Sequence, residues 1–255
     1  MKAEGAARFA WLLLAAPIWV LPAFAQHPAE CMQALSAVER DFPLPSVARA
    51  IAARKLNVLV VGAGSSVLPG ADGAKRAYPA RLQKALSAKL PRVAVTVIAD
   101  VKSRRTADDM LATFAAALSA AKPALVIWQT GTVDAMLGID PDQFSAALDR
   151  GINTARSAGA DVILVNSQYS PRTESIIALS TYVSDMRWVA VQQEVPLFDR
   201  FNVMKAWSNF GTFDLQSAPN KLDIAERVHD CIGILLADLV VESAKPGGLP
   251  NGGAR

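Results

Sequence analysis

The 255 residues are 52% apolar and 19% charged, with 15 Gly and 15 Pro, a balance that excludes a fibrous or wholly disordered chain and is enough to bury a core. Lys and Arg number 26 against 23 Asp and Glu, a net charge of +3 without any long basic stripe, so nucleic acid is not the expected partner. The length and the even scatter of apolar runs suit one compact domain, placed over residues 26–244.

At the N-terminus, Lys2 and Arg8 precede an apolar stretch from Phe9 to Phe24 that closes on Ala23-Phe24-Ala25. Charge, apolar run and small residues in that order predict a signal peptide over residues 1–25, cleaved before Gln26, and hence a periplasmic or secreted protein. Pro17 and Pro22 interrupt the run, which is shorter than the roughly twenty residues a spanning helix needs, so no stable membrane span is expected after cleavage. Cys31 and Cys231, the only cysteines, are expected to pair in an oxidising compartment, with two buried free thiols as the alternative. Cysteines so far apart, in a chain with only two histidines, do not suggest a metal site, and no organic cofactor is implied.

Runs rich in β-branched residues recur at Leu56–Val61, Val93–Ile98, Ala124–Trp128, Asp161–Val165 and, more weakly, Val195–Phe198. Helical patterns lie between them at Tyr78–Leu90, Thr106–Ala121, Asp142–Ala158 and Thr173–Gln193, and a last one at Leu222–Val241 aligns Val228, Ile232, Leu235 and Leu239. Strict alternation of strand and helix specifies right-handed βαβ crossovers. The expected fold is therefore a three-layer α/β/α sandwich around a mostly parallel five-stranded sheet, with the ligand crevice at the carboxyl ends of the strands. Residues 245–255, rich in Gly and Pro without an apolar period, are expected to form a disordered tail.

The first strand runs into Gly62-Ala63-Gly64-Ser65-Ser66-Val67-Leu68-Pro69-Gly70. A dinucleotide fingerprint would need a third glycine where Val67 stands, and a helix where Pro69, Gly70 and Gly73 lie. A turn that presents a serine hydroxyl at the strand end fits better, with a Ser-rich turn devoid of chemistry as the alternative.

Gly64-Ser65-Ser66-Val67-Leu68-Pro69-Gly70 resembles the first block of the SGNH (GDSL-type) hydrolases, Gly-Asp-Ser-Leu-x-x-Gly, with Ser65 where aspartate is usual and Ser66 at the nucleophile. Tyr78-Pro79-Ala80-Arg81-Leu82 is similar to the start of the helix that follows that block, and the resemblance extends from about Leu56 to Leu239. It implies an SGNH or flavodoxin-like fold and attack by Ser66 on an ester carbonyl, with the Ser66 amide helping to hold the oxyanion.

Other blocks depart from the pattern. In Gln129-Thr130-Gly131-Thr132-Val133-Asp134, Val133 replaces the asparagine of Gly-x-Asn-Asp, leaving Gln129, Thr130 or Thr132 to substitute for it and Gly131 to line the oxyanion region. Arg104 stands near the usual second-block glycine, and it or Arg105 could meet an anionic group. Asn220 and Asp223 stand where the Asp-x-x-His pair is expected. With His27 at the new N-terminus, His229 is the candidate base, a packed structural histidine being the alternative. Tyr169 borders the cleft or anchors its loop, Asp199 serves the cleft or a turn, and Trp188 and Trp207 are expected to pack inside. The signal peptide and the resemblance together imply an exported esterase acting on acyl or acetyl esters of a small molecule or glycan. The alternative is an inactive SGNH-fold protein that binds an envelope saccharide or a partner protein.

Overall fold

The computed structural model describes residues 28–32, 42–216 and 221–245. The segment expected as a signal peptide, His27, Asn220 and residues 246–255 lie outside them.

Five strands, β1 (Lys55–Gly62), β2 (Ala94–Val101), β3 (Leu125–Gln129), β4 (Asp161–Val165) and β5 (Leu197–Phe198), pair in parallel in the order β2-β1-β3-β4-β5. Alternate residues serve opposite layers, as the period of a strand requires. Leu56, Val58 and Val60 of β1 and Leu125 and Ile127 of β3 face one core. That core is completed by helices α2 (Pro45–Ala52), α4 (Tyr78–Lys89), which the one-turn α3 (Gly73–Arg76) precedes, and α11 (Leu222–Ser243). Leu59, Val61, Val126 and Trp128 face the other, against α5 (Ala107–Ala121), α7 (Pro141–Ser157) and α9 (Leu179–Gln192). The three-layer α/β/α architecture is the expected one. Among the described residues no helix is long and apolar enough to cross a membrane.

Differences from the expected elements have local causes. The fifth strand shrinks to two residues because Pro196 has no N–H to extend the ladder, although its carbonyl accepts from Leu164. The helix expected over Thr173–Gln193 is two, α8 (Pro171–Ile176) and α9, parted at Ile177, whose backbone is extended. A helix the sequence did not suggest, α10 (Arg200–Asn209), begins where the Asp199 carboxylate accepts the Asn202 N–H. Trp207 packs fully buried on it, whereas Trp188 lies on the outer face of α9 and is 60% exposed, against expectation.

Two features set the site. The order of the sheet reverses between β1 and β3, so their carboxyl ends open a crevice of the kind that binds ligands in such folds. On one flank, α11 runs close along α4, because a Cβ on Gly233 would come 2.8 Å from the Leu82 backbone nitrogen. The Cys31–Cys231 disulfide is formed and ties the short helix α1 (Ala29–Met32) to α11.

Candidate active site

Strand β1 ends on Gly62, and the chain turns at once into a single 3₁₀ turn, Gly64–Ser66. A Cβ on Gly62 would come 2.2 Å from Ser66 Oγ, so glycine lets the turn fold Ser66 back against the strand. Ser66 is 1% exposed, while Ser65 stays half-buried at the surface of the turn. The Ser66 amide donates to the Ala63 carbonyl at 2.9 Å, which commits it to the turn. The expectation of an exposed hydroxyl with a free amide for an oxyanion is therefore corrected on both counts, because closing the turn buries the one and engages the other.

The direction of each hydrogen bond at Ser66 follows from its partners. Ser66 donates to Oε1 of Gln129, the last residue of β3, whose amide oxygen can only accept. Its single proton being used, Ser66 Oγ must accept from the Tyr78 hydroxyl 3.2 Å away. Gln129 is locked in this orientation, since Oε1 also accepts from Arg200 Nη1 at 3.2 Å and Nε2 donates to Ser65 Oγ at 2.8 Å. Arg200, at the start of α10, is 1% exposed. Its Nη1 also donates to Ser65 O at 3.2 Å and Ser65 Oγ at 3.3 Å, and its guanidinium carbon lies 5.9 Å from the Tyr78 ring centroid. Burial lowers its pKa to about 10, which leaves it charged at neutral pH.

His229 sits on α11, 5% exposed, and its Nδ1 accepts the Tyr78 backbone N–H at 2.9 Å. That N–H is one of the donors left over at the start of α4, where the N-cap residue Ala77 offers no side-chain acceptor. His229 thus caps α4 from the neighbouring helix. In the neutral imidazole its proton must then lie on Nε2, so neither nitrogen has a lone pair free for a serine proton. Burial, with Arg200 and Arg81 as neighbouring cations, lowers the His229 pKa to about 3. Tyr78 links the two residues, bonding Ser66 with its hydroxyl and His229 with its amide.

The remaining candidates are spread around the crevice. Gly131, at φ +98°, heads the short helix α6 (Thr132–Leu137), and its amide donates to Asp134 Oδ2 at 3.2 Å. Asp134 also takes the Ala107 N–H at 2.9 Å, so it joins this loop to α5, and burial pushes its carboxyl above the usual range. Gly131 therefore lacks the free amide an oxyanion would need, while Thr132 Oγ1 is buried without a hydrogen-bond partner. Arg104 is exposed at a left-handed φ of 62°, and Arg105 turns inward to the Gly62 carbonyl at 3.2 Å and Asp100 at 3.0 Å. Tyr169 is buried edge-on against Phe201, ring centroids 5.3 Å apart. Asp199, besides capping α10, pairs with Arg187 and Asn166.

The model of the Non-GDSL lipase-like family matches residues 30–246. The chain belongs to that family. Its fold is SGNH-like and is shared by solved esterases. TesA is 24% identical with a TM-score of 0.54, over 71% of this chain and 99% of its own. A catalytic mutant of Axe2, an acetylxylan esterase from Geobacillus stearothermophilus, is 18% identical with a TM-score of 0.55, over 74% of this chain and 93% of its own. A two-domain esterase active on acetylated mannans is 12% identical with a TM-score of 0.65, over 87% of this chain and 60% of its own. No curated protein matches.

Within this Non-GDSL lipase-like chain, sequence reasoning missed Tyr78 and Arg200 as members of the cluster. A cation directly after a strand end, in Phe198-Asp199-Arg200, was the available signal. Truncation tests the structural reading of Ser66. Ser66→Ala leaves the Gln129 oxygen and the Tyr78 hydroxyl each one partner short in the interior, and is expected to cost about 1–3 kcal/mol in urea unfolding. An unchanged midpoint would mean that water replaces the hydroxyl freely.

Proposed function

We propose that this chain is an exported, catalytically silent member of its family that keeps the SGNH crevice as a binding site for an envelope saccharide or partner protein. The observation that carries the reading is the Ser66 hydroxyl: buried, with its proton directed at an amide oxygen that cannot take it. A serine nucleophile needs a neighbouring base with a free lone pair. His229 offers none, since its Nδ1 holds the Tyr78 amide and burial opposes its protonation. The Val133 side chain cannot donate a hydrogen bond to an oxyanion, and losing one such donor costs about 2.7–4 kcal/mol in other serine hydrolases. Export is supported by the apolar N-terminal stretch and by the Cys31–Cys231 bond, which persists in oxidising compartments.

The esterase alternative draws on the fold neighbours, among them esterases of acetylated mannans and acetylxylan. Hydrolysis of nitrophenyl acetate and of acetylated xylo- and manno-oligosaccharides by the mature protein separates the two. The binding reading expects rates for wild type and Ser66→Ala that are equal and match the uncatalysed background. Turnover that disappears in Ser66→Ala would overturn it.

A further inference from the structure

We propose that Arg200, Ser65 and Gln129 form a receptor for the carboxylate of an acidic ligand, reached past Ser65 at the mouth of the crevice. The inference deepens the binding reading above and rests on it. Arg200 is as buried as any core residue, yet among the described residues it has no ion pair. Other partly or largely buried arginines are compensated: Arg76 by Glu226, Arg81 by Asp230, Arg105 by Asp100 and Arg187 by Asp199. Among the described residues Arg200 meets only neutral acceptors, the Ser65 carbonyl and hydroxyl and the Gln129 amide oxygen, all through Nη1. Its Nε is buried without a hydrogen-bond partner.

A guanidinium withdrawn from water is costly unless an anion answers it, and a planar carboxylate matches its fork better than any monodentate group. Among the described residues no carboxylate pairs with it. Ser65, which contacts the guanidinium, stands where the Gly-Asp-Ser-Leu pattern carries an aspartate. A hydroxyl there leaves the charge for a ligand to meet. The approach is also favourable: the loop after β2 abuts the turn, a Cβ on Gly64 coming 3.2 Å from Ser103 Oγ, and the exposed Lys102 and Arg104 flank Ser103. Cations at the rim raise the local concentration of an anionic ligand. The chemical class this favours within the saccharide reading is a sugar acid, with the carboxylate as the anchoring group.

Thermal unfolding of the mature protein at fixed ionic strength tests the receptor with sodium glucuronate, against glucose and sodium chloride. A saturable rise of roughly 5 °C is expected at about 100 times the Kd of glucuronate, and none with glucose or chloride. Arg200→Gln should abolish the rise. Ser65→Asp, which sets a carboxylate on the chain beside the guanidinium, should melt higher than wild type without ligand and should no longer respond to glucuronate. Should Arg200→Gln fail to fold, Ser65→Asp still decides. Absence of a rise in wild type, an equal rise with glucose or chloride, or a rise that persists in either variant would overturn the receptor and leave Arg200 as a structural cation over Tyr78. Ser66-dependent ester hydrolysis would instead end the non-catalytic reading, and the glucuronate response is read separately from it.

Discussion

Replacing Cys31 and Cys231 together by serine is expected to remove roughly 4–5 kcal/mol of stability, the largest effect of any change considered. The cross-link spans 200 residues, so in the unfolded chain it closes a loop that comprises almost the whole domain. In the chain-entropy description the stabilisation grows with the logarithm of that loop. In the folded protein the bond holds α1 against α11, where Arg227 also pairs with Glu30. Cys231 lies two residues beyond His229, so the same helix carries the clasp and the cap of α4. Urea unfolding without reductant should show the double variant melting at much lower urea, and wild type treated with dithiothreitol should match it. Superimposable curves would show that the bond restrains nothing that folding does not already fix.

Acid is expected to destabilise wild type by several kcal/mol more than His229→Gln. Burial lowers the His229 pKa in the folded protein to about 3, whereas in the unfolded chain it returns to its ordinary value of about 6.5. Between those values the unfolded chain binds the proton and the folded one does not. The stabilisation is therefore complete above about pH 6.5 and drains away as the pH falls toward 3, at about 1.4 kcal/mol per pH unit. Glutamine can accept the Tyr78 amide as the imidazole does but does not titrate. Asp134, whose pKa burial raises, contributes with the opposite sign in both proteins and cancels in the difference. The measurement is the unfolding free energy of both proteins from pH 7.5 to 4. A gap that widens steadily below pH 6.5 is the expected result, and parallel curves would show an imidazole in contact with water.

The architecture was legible because β-branched runs alternating with helical periods leave few arrangements besides a parallel sheet with two helical layers. The disulfide was legible as well, since only two cysteines exist to be paired. The departures from the family's motif blocks could be read directly: Val133 stands for an asparagine, and no histidine lies at the expected last-block position. What the sequence hid was orientation. Whether the Gly64–Ser66 turn lifts Ser66 out or folds it in depends on the missing Cβ of Gly62 and on Gln129, 63 residues away from Ser66. Tyr78 and His229 are 151 residues apart, and Arg200 and Ser65 135, separations at which no local pattern betrays a contact. Trp188 shows the same limit on a helix surface. A large aromatic on an amphipathic segment reads as core until the face that meets the sheet is known.

A buried, structural Ser66 is tested most directly by treating the folded protein with a fluorophosphonate that labels activated serines, followed by intact mass spectrometry and peptide mapping. The predicted result is the unmodified mass under conditions that label a control SGNH esterase to completion. A stoichiometric adduct on Ser66 would contradict it, because forming that bond requires a hydroxyl that is both reachable and deprotonated by a neighbour.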